Sequence, residues 1–79
     1  SSFDFSSLDG TYQNGETDVW LSLKHLENAN YEVIFGDSTK EGLLISLSKM
    51  LVGSYVFEFK ENVLFLSGGR IKNVRFVKQ

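Results

Sequence analysis

The sequence predicts an all-β domain: a small antiparallel meander of about seven strands that forms either a curved sheet or a closed barrel. Short runs in which apolar and polar residues alternate recur along the chain, as expected for strands with one buried face. Pairs of glycine or asparagine separate several of these runs, as in tight hairpins. The chain contains no proline, and one segment alone has a pattern that also fits a helix.

Length and composition indicate one small domain. With 79 residues, 42% of them hydrophobic and 14% aromatic, the chain has enough apolar surface for one core and no room for a second. It contains no cysteine, so neither a disulfide nor a thiolate-bound metal can stabilise that core. We predict a flexible leader at residues 1–7, whose phenylalanine rings dock on the core, and a single β domain at residues 8–79.

The first two strands follow from turn chemistry and alternation. A strand at residues 8–13 leads into Asn14-Gly15, the strongest two-residue hairpin signal in the chain, and then directly into a strand at residues 18–26. Trp20 lies on the outer face of this second strand. Its inward-facing aliphatic side chains are Val19, Leu21 and Leu23.

A third strand at residues 31–35 returns after a turn rich in asparagine at residues 27–30. Alternation places Ile34 on its outer face. Its inward-facing side chains are Tyr31, Val33 and Phe35.

Residues 36–53 fit two structures. A capping-box spacing from Ser38 to Glu41, followed by leucines at helical intervals, is typical of a helix at about residues 38–52 packed on the sheet. The leucines and isoleucine of residues 43–47 also alternate, and a glycine before them disfavours a helix. We therefore favour a strand at residues 43–48 followed by a loop, with an α+β fold as the alternative.

We predict three further strands within residues 53–77, joined by two short turns at Glu61-Asn62 and at Gly68-Gly69. The segment at residues 63–66 is apolar on both faces, as expected for a strand covered on both sides or one that offers a face to a partner. In the strand before it, the inward-facing side chains are Tyr55, Phe57 and Phe59.

Several apolar residues have an outward phase in these strands and are candidates for binding a partner. An exposed patch of this kind usually marks an interface, so we expect binding to another protein or self-association. The candidate residues are Trp20, Ile34, Leu44, Val56 and Leu64.

The last strand is basic although the net charge of the chain is −2. No acidic residue follows Glu61, while Arg70, Lys72, Arg75 and Lys78 do. This strand either pairs with acidic early strands and discourages edge-to-edge association, or provides an edge that binds an anionic partner. We include Arg70, Lys72 and Arg75 among the candidate partner-binding residues.

The sequence gives little support for catalysis or for a cofactor. His25 is the only imidazole, and no nucleophile elbow accompanies it, so we predict no catalytic residue and no enzyme activity. One histidine without cysteine cannot form a zinc site, and residues 9–18 do not follow the order of a calcium loop. We predict no metal and no cofactor.

Nucleic-acid binding and the transport of a small apolar ligand are two other functions to weigh against protein binding. The sequence pI of about 5.2 and the core phase of the aromatic residues argue against nucleic acid. A carrier of a small apolar ligand remains the alternative, although about seven short strands enclose little more than their own side chains.

The opening residues 8–14, the strand at residues 31–35 and the closing residues 64–79 resemble the small lipocalin-like β-barrel lipoproteins of bacterial envelopes. The resemblance covers nearly the whole chain. It implies a periplasmic or surface location and a protein-binding or inhibitor-like role without chemistry. It also implies a membrane tether through a lipidated cysteine, which this sequence lacks, directly before Ser1.

Overall fold

Eight antiparallel strands form a closed barrel in which each strand pairs with the next and the last pairs with the first. The structure is a computed structural model that describes residues 3–79. A four-residue 3₁₀ helix, Phe5–Leu8, precedes the barrel. The strands are β1 (Gly10–Gln13), β2 (Trp20–His25), β3 (Asn30–Phe35), β4 (Ser38–Ser46), β5 (Lys49–Val52), β6 (Tyr55–Lys60), β7 (Val63–Gly68) and β8 (Ile71–Lys78).

The all-β prediction is confirmed, and the barrel is closed rather than open. The helix considered for residues 38–52 is wrong, because these residues form the β4–β5 hairpin. The loop predicted to follow residue 48 is also wrong, since Lys49–Val52 is an eighth strand that pairs with both β4 and β6. Among residues 3–79, no helix is long and apolar enough to cross a membrane.

Most connections between the strands are tight turns. The turns at residues 26–29, 61–62 and 69–70 lie within one residue of the predicted places, whereas those at residues 36–37, 47–48 and 53–54 were not predicted. Gly36, Gly53 and Glu61 adopt positive φ in three of these turns, with φ of 61°, 61° and 58°. The direct hairpin predicted at Asn14-Gly15 is wrong, because a six-residue loop separates β1 from β2. The Asn14 side chain closes this loop instead: its Oδ1 accepts hydrogen bonds from the backbone N–H groups of Glu16 and Thr17, both at 2.9 Å.

The segment predicted as a leader carries structure of its own from Phe5 onward. Phe3 and Phe5 pack against the barrel core, as predicted, and Leu8 is buried within it. The Tyr12 hydroxyl donates to the Leu8 carbonyl at 2.8 Å, and the Tyr31 hydroxyl donates to the Phe5 carbonyl at 2.6 Å. The prediction for Ser1 and Ser2 lies outside the described residues.

The 3₁₀ helix makes the two ends of the barrel different. We call the end with this helix and the β2–β3, β4–β5 and β6–β7 turns the closed end. The other end, with the β1–β2, β3–β4, β5–β6 and β7–β8 connections, is the open end. An apolar cavity of about 240 Å³ lies at the open end. It is lined by Thr17, Val19, Phe35, Leu66, Ile71, Val74 and Phe76.

Two of the residues predicted to face outward lie in the core. Leu64 is fully buried, because it stands opposite Phe59 on one side and Phe76 on the other, whose side chains are also buried. Leu44 is 9% exposed and stands opposite the buried Met50. The outward phase predicted for Leu44 and Leu64 is therefore wrong.

Candidate functional site

The phase of β4 produces an apolar surface on the outside of the barrel. The tight turn at Gly36 pairs Phe35 with Ser38, and this register carries Gly42 to the position opposite Tyr31. Opposite residues of an antiparallel pair share a face, so Gly42 points inward with the buried Tyr31. The next inward residue is Leu44, and the aliphatic residues on either side of it point to solvent.

Five aliphatic residues of β4, the following turn, β5 and β6 form what we call the aliphatic face. Register places Leu43 opposite Leu51, and Leu51 opposite Val56, so these three side chains form a row across three strands. Val56 is half-buried. The other members are exposed: Leu43 (47%), Ile45 (51%), Leu47 (70%) and Leu51 (39%).

An open cleft of about 410 Å³ continues the aliphatic face toward the closed end. Ile45 and Leu47 belong to both surfaces, and Phe3 and Phe5 also line the cleft. The cleft is mainly apolar because Ala29 and Leu44 also contribute to its lining. The aliphatic face and the cleft therefore form one continuous apolar surface around the β4–β5 turn.

One pair of opposite charges lies beside the aliphatic face. Lys49 on β5 stands opposite Glu58 on β6, and Lys49 Nζ lies 3.8 Å from Glu58 Oε2. Both side chains are about half exposed, so this ion pair contributes little to stability. The two opposite charges neutralise each other on this side of the face.

The remaining predicted apolar residues do not form one patch. Trp20 is exposed at the start of β2, opposite Gln13 of β1. Ile34 is half-buried on β3, opposite Ser22 and Thr39. The structure thus separates Trp20 and Ile34 from the aliphatic face, to which Val56 alone of the predicted residues belongs.

The three predicted basic residues lie in the β7–β8 turn and along β8. Arg70 is in that turn, and Lys72 and Arg75 are on β8. All three are exposed. Among residues 3–79 the one ion pair is Lys49–Glu58, so none of the three has a carboxylate partner within this part of the chain.

His25 takes part in the packing of the closed end. Its ring stacks on Phe5, with ring centroids 5.2 Å apart, and its Nε2 lies 2.7 Å from the carbonyl oxygen of Asn28. Its backbone N–H donates to Asp9 Oδ1 at 2.7 Å. Within the described range 3–79, no group of three or more histidine, cysteine or acidic residues could hold a metal ion.

Two tyrosines at the closed end are held in their neutral form. Burial of Tyr12 and Tyr31, together with the negative charge of Asp9, raises the pKa of each phenol from its usual value of 10.0 to about 12. Burial is the larger cause for both residues. Each neutral hydroxyl can therefore continue to donate to the carbonyl oxygen of the N-terminal segment well above neutral pH.

Sequence reasoning missed four of the five residues of the aliphatic face. Leu43, Ile45 and Leu47 alternate as core residues do, so their period alone suggested the wrong face. The signal that identifies them is the two-residue turn at Gly36-Asp37, because it fixes the register of β4 against the inward Tyr31 and Val33.

Comparisons with known proteins add no assignment to this site. No protein-family model, no curated protein sequence and no solved structure matches the chain.

Proposed function

We propose that this chain is a non-enzymatic protein-binding module and that the aliphatic face is its docking surface. The observation that carries the proposal is the row of aliphatic side chains Leu43, Leu51 and Val56, extended by Ile45 and Leu47. A strand on the surface of a small barrel normally presents polar residues to solvent. A contiguous apolar patch outside the core is typical of a protein interface.

We propose a second copy of the chain as the partner. A symmetric dimer places the same patch of both copies in contact, so the patch must be compatible with itself. The aliphatic face meets this condition because it has no charged member and because the adjacent Lys49 and Glu58 neutralise each other. A net charge of −2 on each copy adds weak repulsion.

Sedimentation velocity over a wide concentration range tests this proposal. We expect the wild-type chain to pass from monomer to dimer as its concentration rises from micromolar to millimolar. Leu51→Ser should weaken this association, since it places a hydroxyl at the centre of the row that the dimer buries. Ile71→Ser is the matched control, because Ile71 and Leu51 are both 39% exposed and Ile71 lies on β8, outside the aliphatic face.

A wild-type chain that remains monomeric at millimolar concentration would overturn the dimer. Equal loss of association in the Leu51→Ser and Ile71→Ser variants would show that the contact is not at the aliphatic face. An inhibitor-like complex with a different protein would instead appear as a mixed species that Leu51→Ser weakens and Ile71→Ser does not.

The carrier function has less support. The cavity at the open end has a volume of about 240 Å³, below the range of about 300–1,000 Å³ that is usual for small-molecule sites. The cleft of about 410 Å³ is within that range, but it is an open surface groove that would leave an apolar ligand in contact with water. Native mass spectrometry of freshly purified protein should therefore find no co-purifying ligand, and a stoichiometric adduct would favour the carrier instead.

A location in the bacterial cell envelope, with an N-terminal lipid anchor, is also part of the proposal and is based on the resemblance alone. The gene sequence upstream of Ser1 tests it. A signal peptide that ends in cysteine at that point would support both location and anchor, and a continuous polar domain there would contradict both.

A further inference from the structure

The seam that closes the barrel is paired over only part of β8. Strand β8 begins at Ile71, yet its pairing with β1 is confined to Gln13↔Val77 and Tyr12↔Lys78. The Asn14 side chain adds one contact beyond these two pairs, because its Nδ2 donates to the carbonyl oxygen of Arg75 at 2.9 Å. Among residues 3–79, no strand pairs with Ile71–Val74 on the side that faces β1.

This part of β8 is fixed on its other side. Ile71 pairs with Gly68 of β7 and Val74 pairs with Leu66, so β8 has one extra residue between these pairs. The extra residue is accommodated at Asn73, which has a φ of 51° and whose N–H donates to Ser67 Oγ at 3.0 Å. The edge is therefore ordered by β7, but its bulge limits it to a short partner segment.

The apolar cavity of the open end lies directly beside this edge. Its lining includes Ile71, Val74 and Phe76 of β8, together with residues of the β1–β2 loop. A cavity of 150 Å³ with aliphatic and aromatic walls is already large enough for a benzene ring. The volume of about 240 Å³ therefore suits one large apolar side chain.

The outer side of the same edge is positively charged. Arg70, Lys72 and Arg75 are exposed, and none of them has a carboxylate partner among the described residues. A strand added to the edge would place alternate side chains toward the cavity and toward these basic residues, because successive side chains of a strand point to opposite faces. Apolar residues suit the first set of positions, and acidic residues suit the second.

We infer that the free edge of β8 at Ile71–Val74 binds a short extended peptide in which apolar and acidic residues alternate. Main-chain hydrogen bonds to the edge provide affinity, and one apolar side chain in the cavity fixes the register. Acidic side chains beside Arg70, Lys72 and Arg75 select the partner by charge. This site is separate from the aliphatic face and does not depend on the proposed function.

A synthetic peptide that alternates leucine and glutamate, with one central phenylalanine, is the direct probe. We expect fluorescence anisotropy to show saturable binding, and NMR to show shifted and exchange-protected amides at Ile71–Val74. The Arg70→Glu/Lys72→Glu variant should lower the affinity about tenfold, since it replaces two favourable charge contacts with repulsive ones. The Lys40→Glu/Lys60→Glu variant makes the same change in net charge on β4 and β6, and it should bind like the wild type.

A second experiment tests the backbone hydrogen bonds between the peptide and β8. Two versions of the peptide carry N-methyl groups on alternate residues, one version for each phase, so that only one of them blocks the amides facing β8. We expect that one to lose binding and the other to retain it.

Three results would overturn the inference. The first is no binding at millimolar peptide, and the second is equal binding by both charge variants. The third is a set of NMR shifts centred on Leu43 and Leu51 instead of Ile71–Val74, which would reassign the peptide to the aliphatic face.

Discussion

The β1–β3 side of the barrel and the β4–β6 side present different surfaces to solvent. On β1–β3, one outward row consists of Thr11, Ser22 and Ile34, and another contains Lys24 and Glu32. On β4–β6, the central outward row is entirely aliphatic, while the inner side of the same strands is also apolar. The first side follows the alternation of a strand with one buried face. The second presents apolar side chains on both its inner and its outer side, which is why we propose it as the docking surface.

The largest expected effect separates the inner and outer surfaces of β4. Leu44→Ala removes a core side chain opposite Met50 and should lower the free energy of unfolding by about 2–3 kcal/mol. Leu43→Ala makes the same chemical change one residue earlier, on the exposed side, and should change it by less than about 0.5 kcal/mol. Urea denaturation of both variants measures the difference. Equal losses would show that the phase of β4 is not as described.

Gly42 provides an intermediate effect, because it is an inward-facing position of β4 that lies close to the core. A Cβ atom at this position would lie 2.7 Å from Met50 Sδ and 3.1 Å from Val33 Cγ2. Gly42→Ala should therefore destabilise the barrel by about 1–2 kcal/mol, even though the methionine side chain can move. The control is Gly15→Ala, where no atom lies within 4 Å of the added Cβ. We expect thermal denaturation to show no loss for the control, and a stable Gly42→Ala variant would contradict this packing.

A smaller effect concerns the β1–β3 side, where two phenols hold the N-terminal segment. Tyr31→Phe removes the hydrogen bond to the Phe5 carbonyl and should cost about 1 kcal/mol. Stability should also fall as pH rises from about 10 to about 12. In that interval the unfolded chain loses phenol protons that folded Tyr12 and Tyr31 retain, so alkali favours unfolding.

Chemical denaturation at several pH values tests this dependence. The Tyr12→Phe/Tyr31→Phe variant is the control, because it lacks both groups and retains all the lysines. We expect its stability to decline less steeply with pH than that of the wild type. Parallel declines would show that the two phenols do not titrate differently in the folded and unfolded chains.

Alternation and turn residues were sufficient to predict the β class, the positions of most strands and the inward phase of β3 and β6. They failed where two physical signals compete. In β4, three aliphatic residues at strand period suggested the core, but register from the preceding turn placed Leu44 there instead. At Asn14-Gly15, a sequence that suits a two-residue turn forms a longer loop because the Asn14 side chain binds Glu16 and Thr17.

The candidate site was harder to predict than the fold. Its residues come from three strands, and their common face is visible only once the register of all three is known. The basic residues Arg70, Lys72 and Arg75 were identified from composition, but the free edge beside them depends on where β1 ends against β8.

The most direct test of the central claim is a dilution series monitored by NMR of the aliphatic methyl groups. Our account predicts that the methyl signals of Leu43, Ile45, Leu47 and Leu51 shift together with concentration and fit one dissociation constant, while those of Val19 and Ile71 remain unchanged. Methyl signals that are independent of concentration up to millimolar, or shifts centred on Val19 and Ile71, would contradict the assignment of the aliphatic face as the docking surface.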